Sequence, residues 1–181
     1  MANDSLEAFS TTMGSAWGPI STELVATCRP GLEELIRADP AEDWLAALLA
    51  QRPDSRELYR DPTHGFMLLA HNENEGLYRP PHDHGRAWVV YATQSGEIEV
   101  RTYAKVANPL GEPRLVLRDT SVLAPGEARA YLPGDIHDTR CLTESALLFR
   151  FTERDLREED QVERRLTRFV ERDGCWTVPQ G

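Results

Sequence analysis

The sequence predicts a mainly β domain, an antiparallel sandwich or barrel with helices at its two ends. Three observations carry this. From about Gly65 to Thr152 the chain is a series of short β-type runs, broken by Gly76, Ser95-Gly96, Asn108-Pro109, Pro125-Gly126 and Pro133-Gly134. No helical pattern separates the runs, which argues for antiparallel pairing. Helix-type spacing of apolar residues is confined to the first fifty-odd residues and to the C-terminal segment.

Taken in order, "ISTELVATCRPGLEELIRADP" spaces Leu24, Leu32, Leu35 and Ile36 as a helix does, with Pro30 an expected break. "ADPAEDWLAALLAQRPD" follows as a short helix. Asp39 can cap it, Pro40 suits its first turn, and Trp44, Leu45, Leu48 and Leu49 form its apolar face. Eight runs then read as strands: "GFMLLAH", "LYRPPHDHG", "AWVVYATQ", "EIEVRTYAKV", "RLVLRDT", "ARAYLP", "IHDTRCL" and "ALLFRFT". The end, "ERDLREEDQVERRLTRFVERDG", reads as a helix with Leu156, Val162, Leu166, Phe169 and Val170 apolar and a charged, solvated face. The expected organisation is a helical region over 1–55, a barrel over 56–153, and a C-terminal helix and tail over 154–181, in one domain.

The chain has 181 residues and a formal net charge of −10, with no basic stripe, so nucleic acid is not an expected partner. No apolar run approaches a membrane span, and the first 20 residues lack the pattern of a secretory signal. Cys28, Cys141 and Cys175 are odd in number and far apart, which suits free thiols in a cytoplasmic protein.

The chemistry-bearing residues are histidines. In "RPPHDHGRAW", His82 and His84 stand two apart, and residues i and i+2 of a strand share a face. Two imidazoles so placed can converge on one metal ion if a third ligand arrives from another strand. His137, in "LPGDIHDTR", has strand context and follows a Pro-Gly turn. By the same alternation Arg86 and Trp88 would share the face of His82 and His84, and Tyr91 would point away. Trp88 is read equally as core or as pocket wall. His64 and His71 have no ligand-like context and are assigned to loop or surface, and Arg150 is read as exposed or salt-bridged.

"GLYRPPHDH" and "PGDIH" resemble the two motifs of the cupin superfamily, a double-stranded β-helix jelly roll that holds a metal inside its barrel. "PPHDHG.AW" followed by "GDIH" is most similar to the cysteine dioxygenase group of thiol dioxygenases and their bacterial relatives, over roughly residues 56 to 153. The resemblance implies that His82, His84 and His137 hold Fe(II), with O2 and a small anionic thiol as substrates and a sulfinic acid as product. The usual fourth-ligand glutamate is replaced, Trp88 and Val89 standing there, while Gly96 keeps the motif's spacing. An all-histidine set results; from the residues alone, Zn, Mn or Ni would also fit it.

Other family positions differ. The Ser-His-Tyr relay of a late strand aligns with Leu147, Phe149 and Phe151, which would line the pocket. Cys141 replaces an asparagine and could stand beside the ligands, and Val89 takes the place of a cysteine cross-linked to tyrosine. The arginine that grips a substrate carboxylate would be Arg56 or, preferably, Arg60. Cupins often pair outside the barrel, so a homodimer is compatible with the resemblance. Two other functions fit the same residues. One is a different metallo-cupin enzyme, such as a C–C-cleaving dioxygenase, an isomerase or a zinc hydrolase, which an apolar pocket would favour. The other is a non-catalytic cupin that binds a small molecule.

Overall fold

Apolar spacing at the N-terminus produces three helices, α1 (Ser5–Ala16), α2 (Thr22–Leu35) and α3 (Asp43–Gln51), in the computed structural model, which describes residues 4–179. The Asp4 carboxylate accepts from Glu7 N at 2.8 Å and the Ser21 hydroxyl from Leu24 N at 3.1 Å, capping the first two. Helix α2 continues through Pro30, the expected break. The hydrogen bond that Pro30 cannot donate would go to Ala26; both residues lie on the exposed face, where water can serve the freed carbonyl. Helix α3 begins at Asp43 rather than at an Asp39 cap, because Asp39 Oδ1 accepts from Ala41 N at 2.9 Å and closes a separate turn.

Among the described residues eleven strands follow: β1 (Arg56–Arg60), β2 (Met67–Asn74), β3 (Tyr78–His82), β4 (Val89–Ser95), β5 (Ile98–Ala107), β6 (Pro113–Leu123), β7 (Ala128–Tyr131), β8 (Ile136–Cys141), β9 (Ser145–Thr152), β10 (Val170–Arg172) and β11 (Cys175–Thr177). The eight runs read from the sequence are β2 to β9. Together with β1 they build two facing antiparallel sheets, β1-β2-β9-β4-β7 and β3-β8-β5-β6, with the chain passing repeatedly from one to the other as in a jelly roll.

Alternation along each strand separates two apolar layers. Val89, Tyr91 and Leu148 of one sheet meet Ile98, Val100 and Cys141 of the other inside the barrel. Val90, Ala92, Phe149 and Phe151 point outward and pack under Phe9, Met13, Leu32 and Leu45 of the helices. The helices therefore cover the outer face of the five-stranded sheet and do not reach the barrel interior. Among the described residues no helix is long and apolar enough to cross a membrane.

The C-terminal segment corrects the sequence reading. Its helix is limited to a short stretch ending in a π-helical turn, Glu158–Val162, and β10 and β11 form a hairpin. Strand β3 is an edge, and the segment supplies its missing partner: Asp83 N donates to Thr167 O at 3.0 Å and Phe169 N to Pro81 O at 2.8 Å. That extended pairing satisfies backbone groups a helix would leave open. Asp173-Gly174, both with positive φ, makes the hairpin turn. Asp-Gly is a hairpin signal visible in the sequence, outweighed there by the charged, helix-like spacing before it.

Gly96 joins β4 to β5 at φ +74, and a Cβ there would lie 2.3 Å from the Ser145 carbonyl oxygen. Gly96→Ala should destabilise the fold by about 2–4 kcal/mol, from left-handed strain plus a clash with backbone. Urea unfolding checks this; an unchanged midpoint would contradict the assigned turn.

Candidate metal centre

His82 is the last residue of β3 and pairs across the sheet with His137 of β8. Its Nδ1 lies 2.8 Å from Pro80 O, which orients the ring with Nε2 free. His84 lies beyond the strand, in a turn closed by Ala87 N donating to His84 O at 3.1 Å. Gly85, at φ +63, lets the chain reverse there, and the buried Glu159 carboxylate accepts from Arg86 N at 3.2 Å and holds the turn.

These elements bring His82, His84 and His137 together, one ring nitrogen from each within 4.8 Å of the others. Ring centroids are 4.9 to 5.2 Å apart. Burial lowers the pKa of all three, so they are held neutral, the form that ligates a metal. Both ring nitrogens of His137 and Nδ1 of His84 are buried without a hydrogen-bond partner among the described residues. Such orphaned groups cost about 1–3 kcal/mol each, and a cation bound at Nε2 or Nδ1 would relieve part of that cost. Metal–nitrogen bonds of about 2.1 Å need nitrogens roughly 3 to 3.4 Å apart, inside the 4.8 Å that bounds the three here. The residues fit a divalent transition metal. The Tyr131 ring lies tilted against His137, 4.1 Å between centroids, and the Tyr91 hydroxyl lies 3.3 Å from His84 Nε2.

His82 and His84 border a cavity of about 560 Å³ inside the barrel, and His137 stands against both of them but off its lining. Its inner wall includes His71 and Glu73 of β2, Tyr91 of β4, and Leu148 and Arg150 of β9. Leu156, Arg157, Leu166, Arg168 and Phe169 of the C-terminal segment close over it.

The expected substrate residues lie elsewhere. Trp88, Leu147, Phe149 and Phe151 are in the layer beneath the helices, and the aromatic rings of Trp88 and Phe151 are 5.4 Å apart there. The Gly85 turn interrupts alternation after His82, so Tyr91 rather than Trp88 shares the histidines' side. On β9, Arg150 is paired in register with Leu69 and Tyr91, so the even-numbered residues face inward and the aligned odd-numbered ones outward. Arg86 is exposed, 4.0 Å from Glu163. Arg60 is exposed and held by Glu57 at 2.9 Å and Asp155 at 2.8 Å, outside the cavity lining. Cys141 packs inside the barrel among apolar residues, its thiol 3.2 Å from Thr143 O, and does not line the cavity. His64 is exposed as expected, beside Trp17.

Spacing and alternation place His71, Tyr91 and Arg150 elsewhere and single out none of Glu73, Arg79, Arg157 and Arg168, yet all seven line the cavity. One sequence signal was available for Arg150, a lone charge between phenylalanines in an apolar strand, since a strand's inner face also lies between outward-facing residues.

No family model matches the chain, and no curated protein matches it. Among solved structures it is similar to KdgF from Halomonas sp., 19% identical over 55% of this chain and 79% of that one, with a TM-score of 0.43. TT1209 from Thermus thermophilus is 21% identical over 54% and 79%, with a TM-score of 0.42. The cupin domain of Schizosaccharomyces pombe Cnp3 is 13% identical over 59% and 64%, with a TM-score of 0.44. The structural neighbours thus include cupin-fold proteins.

His71 links the cavity to stability. Burial, with Arg150 and Arg79 nearby, lowers its pKa from 6.5 to about 3; the buried Glu73 faces the same cavity. Below about pH 6.5 the unfolded chain takes up a proton at His71 that the folded chain refuses, so stability falls on acidification until pH approaches 3. From pH 7 to pH 5 His71→Gln should lose about 1–2 kcal/mol less unfolding free energy than wild type. Equal losses in urea titrations would show that His71 is not held neutral.

Proposed function

We propose that this chain is a metal-dependent enzyme, a non-haem Fe(II) dioxygenase that converts a small thiol to a sulfinic acid, R–SH + O2 → R–SO2H. The observation that carries the reading is three neutral imidazoles, with no carboxylate in the cluster, two of them on the wall of a cavity that also holds a guanidinium. Bound by His82, His84 and His137, Fe(II) would supply open coordination positions for thiolate and O2.

The chain's own groups complete the site. Neutral ligands leave an ion's positive charge uncompensated, which draws a thiolate into the barrel. Arg150 can hold an oxyanion of the substrate through its planar fork. Tyr91, 3.3 Å from His84 Nε2, can donate a hydrogen bond to a group bound beside that histidine. It thus offers a phenol from β4 in place of the relay that the family carries on its late strand. Leu148, Leu156, Leu166 and Phe169 provide apolar wall and limit water.

Leu147, Phe149 and Phe151, the apolar trio that would favour a C–C-cleaving enzyme, face the helices instead. Zinc suits three imidazoles equally well, so metal analysis belongs in the test. Protein purified without a histidine tag and loaded anaerobically with Fe(II) should consume O2 with cysteine, 3-mercaptopropionate or cysteamine, and sulfinate should appear one for one. His137→Ala should abolish both metal retention and uptake. Tightly held zinc with no thiol-dependent O2 uptake would overturn the assignment.

A further inference from the structure

The cavity carries more positive charge than a small thiol requires. Arg79, Arg150, Arg157 and Arg168 line it against two carboxylates, Glu73 and Asp160. Arg79 is bonded to Glu73 at 2.7 Å and Arg168 to Asp160 at 2.8 Å. Among the described residues Arg150 forms no ion pair, and its Nε is buried without a partner. Arg157 lies close enough to Asp155 to help lower that carboxyl's pKa, but Asp155 is held by Arg60 at 2.8 Å, and Arg157 makes no ion pair of its own among the described residues. Two guanidinium groups therefore remain for a ligand, in a chain whose net charge is −10.

A second observation points the same way. His71 is 8% exposed, and its Nε2 is buried, on the cavity wall, without a hydrogen-bond partner. Its register partner on β9 is Leu148, next but one to Arg150, so imidazole and guanidinium belong to the same inner face of the sheet. Arg157 is exposed on the closing segment and borders a second recess together with Arg150. At about 560 Å³ the cavity also exceeds what a three-carbon thiol fills and falls in the range of sites for larger metabolites.

We infer that the substrate is a small dianion with two carboxylates or equivalent oxyanions, one held inside the barrel by Arg150 and His71 and the other at the mouth by Arg157. The inference rests on the proposed function only for where the reacting group lies. The arginines would select the substrate by charge and length, and both act as positioning residues.

Calorimetry with thiol-free probes separates this from the oxygen chemistry. Succinate, glutarate and adipate are compared with butyrate, using protein as isolated and after metal removal with EDTA. At least one dicarboxylate should bind about tenfold tighter than butyrate, the gain expected of one more charge-assisted hydrogen-bonded contact. Arg157→Gln should remove that advantage and leave butyrate affinity unchanged. Arg150→Gln should weaken both probe types, with Arg150→Lys partly restoring them, and melting temperatures report whether each variant is folded. The advantage should survive metal removal. Equal affinity for mono- and dicarboxylates, an advantage that vanishes with the metal, or an Arg157→Gln variant that binds like wild type would each overturn the inference. None of these outcomes depends on whether a thiol is oxidised.

Discussion

Strand β9 is hydrogen-bonded on both edges, to β2 and to β4, so neither its register nor its facing can shift without moving two neighbours. A slip of one residue would expose Phe149 and Phe151 to the cavity and drive Arg150 under the helices. The outward phenylalanines pack with Trp88 and Phe66 beneath α1 and α2, and that apolar layer holds the strand in place. Placement of the guanidinium inside the barrel is therefore enforced by hydrophobic burial on the opposite face. The helices affect the site only through this sheet.

The interior is electrostatically unlike the surface. The chain is strongly acidic as a whole, yet its cavity gathers arginines beside a cluster of three histidines that burial keeps neutral. A protein that placed a glutamate among the ligands would offset a bound ion's charge. Here the only acidic residues lining the cavity, among the described residues, are Glu73 and Asp160, each already paired with an arginine. Behind the sheet, Asp138 accepts from Tyr103 at 2.6 Å and Tyr78 at 2.9 Å and pairs with Arg101, which ties β3, β5 and β8 together next to His137.

The C-terminal segment does two things at once. It covers the open edge of β3 with backbone pairing, and it brings Arg157, Leu166 and Phe169 over the cavity. Glu159, almost fully buried, accepts from the backbone of the Gly85 turn and joins this segment to the loop that carries His84. Ligand loop and cavity wall thus share one anchor, and a Cβ at Gly85 would collide with it.

The sequence by itself determined the β class, the eight barrel strands and the identity of the three clustered histidines. Those features are written in local pattern: turn residues between apolar runs, and histidines at motif spacing. Which side chains surround the histidines was decided only by the tertiary structure. Alternation can be counted along one strand, but the turn at Gly85 resets the count between His82 and Tyr91, and nothing local reveals the size of that reset. The same limit hid Arg150, whose direction follows from pairing with Leu69 and Tyr91, both distant from it in the chain. It also hid the C-terminal hairpin, because an amphipathic charged stretch is helical only until an unpaired strand edge offers its backbone a better partner.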